Sequence, residues 1–207
     1  MTKAQIITKA QLYLDDMSEL STQEFSDLFD KMYRKVNSDR PWEGTKAEFT
    51  GTTSTSLPYI SLPTDFLYLT ANHNYSESSE AAEFPVIFRG STYKPYTVVS
   101  WSDRRQYRDS DKHAWVDFAN SRLYFSKQPT TAEAVEFDYH KQMTALTDND
   151  SPWFPAEYHD VLYHLMVADD FMIQQSEKAK SYRDENLKAA KDYMEHMAWW
   201  NSQLVQL

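Results

Sequence analysis

The chain has no cysteine. That absence removes disulfides, cysteine-based zinc sites and thiol nucleophiles together. Glycine is nearly as scarce, with 3 in 207 residues, at Gly44, Gly51 and Gly90. Phosphate-cradling loops need clustered glycine, so dinucleotide-binding and P-loop readings are excluded. No apolar run approaches membrane-spanning length, and Met1 to Gln5 opens no apolar signal core. The expectation is a soluble protein made in the cytoplasm, with no membrane partner. Basic residues are outnumbered, 21 against 31, for a net charge of −10. A general duplex-DNA binder needs a basic footprint to displace phosphate counterions, and this chain has none overall. An acidic surface instead repels DNA and lets it pass without sticking.

What the chain has is aromatic surface: 14 Tyr, 11 Phe and 6 Trp, 15% of all residues. Tyr and Trp pair an apolar body with a polar tip, which suits places that are packed on one side and wet on the other.

Hydrophobic periodicity predicts helices at both ends. Ile6, Ile7, Ala10, Leu14 and Met17 share one helical face. Ser21 followed by Glu24 is a capping box, and Phe25, Leu28, Phe29, Met32, Tyr33 and Val36 follow as an amphipathic stripe that Arg40-Pro41 stops. Its plain reading is core packing. After Pro155, Tyr158, Val161, Leu162, Leu165, Met166 and Met172 trace one apolar face. A last helix from Glu177 to Trp200 carries Ala179, Tyr182, Ala189, Ala190, Tyr193, Met194 and Met197. Between these ends, short strand candidates succeed one another. They are Leu57–Ile60, Leu67–Thr70, Phe84–Arg89, Tyr96–Trp101, Ala114–Phe118, Arg122–Ser126 and Ala134–Tyr139. "SLPTDFLYL", Ser61 to Leu69, reads as a strand entered through proline. Close spacing of short strands predicts an antiparallel sheet. Ser102–Lys112 reads as a loop or a short helix, and the acidic Asn72–Glu83 as an exposed loop.

The expected fold class is therefore α+β: a helical bundle from the N- and C-terminal helices with an inserted antiparallel β-rich subdomain. The boundaries place bundle helices at 1–47 and 146–197, the β-rich insertion at 48–145 and a C-terminal tail at 198–207.

Chemistry-bearing clusters are thin. Asp160 with His164, and Asp138 with His140, each lack a third ligand, and His159 and His164 are five apart where a helical metal pair needs four. "LTDNDSPW", with Asp148 and Asp150, holds half of a calcium loop without its glycine and distal glutamate. It reads better as a turn, with Asp150 or Ser151 capping the next helix. No Gly-x-Ser-x-Gly elbow is present. The expectation is a non-enzyme with no catalytic residue, no metal and no cofactor. The rival enzyme reading rests on Asp148 and Asp150 and requires convergent carboxylates in a pocket.

The order of parts is more telling. "STQEFSDLFDKMYRKVNSDRPWE" is followed by Leu62-Pro63-Thr64-Asp65-Phe66. Then comes Arg122 to Asp170, a strand, a Pro turn, a strand ending in Tyr139, Leu146-Thr147-Asp148, and Phe154-Pro155 opening a helix. This order resembles the head-to-tail adaptor family of tailed bacteriophages, also called head completion, connector or neck proteins. The resemblance spans about Ser21 to Met194. Asn72–Glu83, Arg104–Lys112 and the tryptophan-rich end depart from it. It implies a virion protein at the head–tail interface, in a ring of identical copies, usually twelve, below the portal. One side binds the portal protein, the other tail or nozzle proteins, and double-stranded DNA passes through the centre. In that setting Trp199, Trp200, Leu204, Val205 and Leu207 are the candidate portal-docking tail; closing the bundle is their alternative role. Tyr59, Tyr93, Tyr96, Trp101 and Trp115 are candidate contacts to neighbouring subunits or the tail. The other reading is a different tail or neck component, such as a tail completion or baseplate protein.

Overall fold

The computed structural model describes residues 1–14, 18–70, 85–90, 94–173 and 177–204. Met17, Tyr93, Val205, Leu207 and the Asn72–Glu83 segment lie outside the described residues. The fold is mixed α+β, with four α-helices and an eight-stranded sheet among the described residues. Two compact units divide it: residues 1–44 with 143–207, and residues 45–142.

The first unit holds α1 (Lys3–Leu14), α2 (Thr22–Ser38), α3 (Asp160–Ile173) and α4 (Glu177–Leu204). Helix α2 starts where its sequence dictates. The Ser21 hydroxyl accepts from the Glu24 N–H at 3.3 Å, and the Glu24 carboxylate accepts from the Ser21 N–H at 2.7 Å. Each satisfies a backbone donor that a helix start leaves orphaned. All six residues of the predicted stripe, Phe25 to Val36, are buried. Helix α3 departs from expectation. It buries not one face but most of its surface, including Tyr163, Val167, Ala168 and Phe171. The reason is its central place: α1, α2 and α4 all pack against it. Helix α4 continues past the expected bundle boundary to Leu204.

"LTDNDSPW" does not cap the helix that follows it. The Asp150 carboxylate closes its own turn by accepting from the Thr147 N–H at 2.8 Å and hydroxyl at 2.6 Å. The carbonyls of Asp150 and Asp148 accept from the N–H groups of Lys3 and Ala4, at 2.8 and 3.1 Å. The turn thus satisfies the first donors of α1, a helix far away in sequence. Beyond it, Phe154 is buried and Pro155 leads into a 3-10 turn, Ala156–Tyr158, ahead of α3.

The second unit is one sheet: β1 (Lys46–Thr52), β2 (Tyr59–Ser61), β3 (Phe66–Leu69), β4 (Val86–Arg89), β5 (Lys94–Val98), β6 (His113–Asp117), β7 (Arg122–Phe125) and β8 (Ala134–Lys141). The order is β1-β8-β4-β5-β6-β7-β2, with β3 also on β8. Strand β1 is absent from the strands expected from sequence, and it pairs with β8 along its whole length. The sheet is not wholly antiparallel. Strands β5 and β6 run parallel, Thr97 opposite His113, because the chain between them folds back through a 3-10 turn at Asp103–Arg105. Ile60, Ile87, Tyr96, Leu123, Phe125, Val135, Phe137 and Tyr139 belong to its core.

"SLPTDFLYL" is two strands rather than one. Ser61 ends β2, the Phe66 N–H donates to the Pro63 carbonyl at 3.1 Å, and β3 begins at Phe66. The motif closes a corner against β8. Asp65 accepts the Tyr139 hydroxyl at 3.0 Å and Phe66 stacks on the Tyr139 ring at 5.7 Å. Burial and the Asp65 carboxylate push the Tyr139 phenol up to about 12.

Candidate interaction surfaces

Strand register builds an aromatic ladder on the outer face of the sheet. Tyr59 of β2 pairs with Tyr124 of β7, which pairs with Trp115 of β6. Alternation sends Leu123 and Phe125 into the core and leaves Arg122 and Tyr124 on the opposite face. The Tyr59 and Tyr124 rings are 5.1 Å apart, and Trp115 lies parallel to Tyr124, 6.4 Å away at 7°. Trp101, from the β5–β6 connection, meets the edge of Tyr124 at 6.5 Å. Two cations rest on this assembly. The Arg122 guanidinium sits 4.1 Å from the Tyr59 ring centre and that of Arg104 3.8 Å from Trp101. A hydrogen bond to Tyr124 raises the Arg122 guanidinium further above its ordinary value.

Of the five aromatics chosen from sequence, Tyr59, Trp101 and Trp115 thus converge on one patch. Trp101 is 44% exposed, whereas Trp115 is 9% exposed under its neighbours. Tyr96 faces the other way. At 6% exposure it packs edge-on against Phe125 inside the core, so its ring is taken up within the subunit. Tyr124, the hub, was missed because a lone tyrosine in "RLYF" carries no signal until three strands align. Phe118 was missed too; it is 67% exposed and touches Phe66 at 6.1 Å.

The end of α4 forms a second surface. Neighbouring tryptophans project about 100° apart on a helix. Trp200 turns inward onto Trp153 at 6.3 Å and Tyr158 at 6.2 Å, while Trp199 stays 67% exposed and Leu204 38%. Asn201 pins this end: its Oδ1 accepts from the Glu43 N–H at 2.7 Å. The residues from Trp199 to Leu204 are helical turns of α4, not an extended peptide, and Trp200 packs half-buried against the core of its unit.

The residues considered for chemistry do not gather. Asp160 pairs with Lys9 at 2.6 Å, and His164 bonds Asn186 at 2.8 Å. Buried His140 bonds the Thr45 hydroxyl at 2.8 Å, while Asp138 is exposed. Buried His159 donates from Nε2 to the Phe154 carbonyl at 2.9 Å, and burial lowers its pKa. Among the described residues no three His, Asp or Glu side chains are placed to hold a metal ion. Hydrogen bonds from Thr147 hold the exposed Asp150 carboxyl below its ordinary value, which makes it a poor proton donor at neutral pH. The cavity lined by Arg89, Tyr96, Lys127 and Glu133 is not lined by Asp148 or Asp150. Neither is the groove between Val36, Leu165, Leu187 and Met194. Both surfaces described above fit contact with other proteins better than chemistry.

The model of the SU10 adaptor protein family matches residues 1–206. The chain belongs to that family. It is a family of phage head–tail adaptors, so the chain is a structural adaptor of the phage head–tail junction. No curated protein matches the chain. For an adaptor, self-association and contact with portal and tail proteins are the business of the molecule. The aromatic ladder and the α4 end expose the rings of Trp101 and Trp199.

Proposed function

We propose that this adaptor forms a ring, of twelve copies by the family resemblance, below the portal at the capsid vertex, with a channel through which double-stranded DNA moves during packaging and ejection. The family match over residues 1–206 carries this reading. In it, residues 1–47 and 146–197 form a helical bundle that makes the ring body. The β-rich insertion at 48–145 gives each subunit a platform towards neighbours and tail or nozzle proteins. The 198–207 end docks on the portal protein through Trp199 and Leu204, exposed apolar side chains in the last turns of α4, and through Val205 and Leu207 beyond them. An exposed tryptophan this large is what a docking site spends on a partner. The net charge of −10 supports passage of DNA without binding.

The experiment is light scattering and negative-stain imaging of the purified protein, alone and mixed with its portal protein. A ring that forms on the portal supports the proposal. A protein that remains monomeric and ignores the portal overturns it and favours a tail or baseplate position.

A further inference from the structure

The Tyr59–Tyr124–Trp115 ladder, its Trp101 lid and the two arginines lie on the sheet face away from the core. The core lies on the opposite face, built by Ile60, Ala114, Val116, Leu123 and Phe125. We infer that this patch is the contact that one copy offers to the helical unit of a second copy. The inference rests on the adaptor reading above and names the partner of one of its surfaces.

Three observations carry it. The patch consists of tryptophan, tyrosine and arginine, the residue types that dominate binding energy at protein interfaces. The arginines are held in place by rings. Arg104 lies over Trp101 and also donates to its carbonyl; Arg122 lies over Tyr59, bonds Tyr124 and pairs across β6–β7 with Asp117, whose charge acts on it short of a salt bridge. Each therefore presents a positive charge whose side chain is already ordered, which lowers the entropy lost on binding. The third observation is the contrast between the two arginines of the patch and the acidity of the helical unit. Residues 1–44 and 143–207 hold eleven basic and nineteen acidic side chains, a net charge of −8, against −2 for residues 45–142. The acidity of the chain is concentrated in its helical unit, and the arginine-capped ladder is in the other. A contact between unlike parts of identical copies is heterologous, the kind that closes into rings. Self-association is already a property of the family.

The test compares wild type with Arg104→Glu, Arg104→Glu/Arg122→Glu and Trp101→Ala by light scattering, alone and with the portal protein. Arg104 lies in a surface turn, so its reversal leaves the thermal melt unchanged and keeps the test valid should the double variant fold poorly. Reversal of charge weakens self-association at least tenfold, and raising salt from about 0.1 to 0.5 M weakens the wild-type assembly through screening. A photo-cross-linking residue at position 101, in a mixture of isotopically light and heavy copies, captures helical-unit peptides in mixed pairs. Assembly of folded Arg104→Glu at wild-type concentrations overturns the inference, as do cross-links that land on the sheet unit or on the portal. Those results leave the adaptor reading standing. If the wild type forms no assembly even with the portal, the adaptor reading falls, and this inference falls with it.

Discussion

Replacing Gly44 by alanine drives a methyl group into the Trp153 ring. A Cβ built on Gly44 lies 2.3 Å from Trp153 Cε3 and 2.4 Å from Cζ3, where carbon atoms ordinarily rest about 3.5–4.0 Å apart. The glycine is needed for this approach and not for its backbone, since its φ is not positive. Trp153 has little freedom to retreat. Its Nε1 donates to Asn37 at 2.6 Å, and its ring packs against Trp42 at 6.1 Å and Trp200 at 6.3 Å. Overpacking a core costs about 1–3 kcal/mol. Stretching the Asn37 hydrogen bond adds about 1 kcal/mol. Alanine also narrows the unfolded ensemble, which offsets about 0.4–1 kcal/mol. The net expected loss is about 1–3.5 kcal/mol, read as a fall in the urea midpoint of the helical unit. The decisive control repeats Gly44→Ala in a Trp153→Ala background. With the ring gone, only the unfolded-state effect remains, and the same substitution becomes stabilising by about 0.4–1 kcal/mol. An equal loss in both backgrounds refutes the steric argument.

Other expectations follow from the same structure. Trp199→Ala leaves stability within about 0.5 kcal/mol but weakens capture by immobilised portal protein, whereas Trp200→Ala loses about 1–3 kcal/mol by urea unfolding because its half-buried ring packs against the core. Equal effects of the two on stability argue against the inward and outward split. Ser21→Ala removes the cap of α2 and costs about 1 kcal/mol, checked by thermal melts; a Thr at this position restores most of it. Burial lowers the folded pKa of His159 from its ordinary 6.5, so its contribution is complete above that value and is lost as pH falls through the folded pKa. The urea midpoint of the helical unit therefore drops as pH falls below about 6.5, and His159→Gln flattens that drop; an unchanged slope contradicts the assignment.

Much of this molecule was legible because the relevant signals are local. The α2 stripe, its Ser21–Glu24 box and the alternation of Val135, Phe137 and Tyr139 each depend on residues within two turns or one strand of each other. The order of the Leu-Pro-x-Asp-Phe and Phe-Pro motifs carried the family as well. Its physical content became visible only in the fold, where Asp65 holds Tyr139 and the Asp148–Asp150 turn feeds the start of α1.

By itself, then, the sequence settled the capped start and core stripe of α2, the mixed fold class and the family. Tertiary structure alone decided the parallel pairing of β5 with β6, the central burial of α3 and the division of Trp199 from Trp200. It alone also made Tyr124 the hub of a patch. These depend on which strand lies beside which and on which side of a helix receives neighbours. Residues far apart in the chain set both, and periodicity along one segment reports only its own faces.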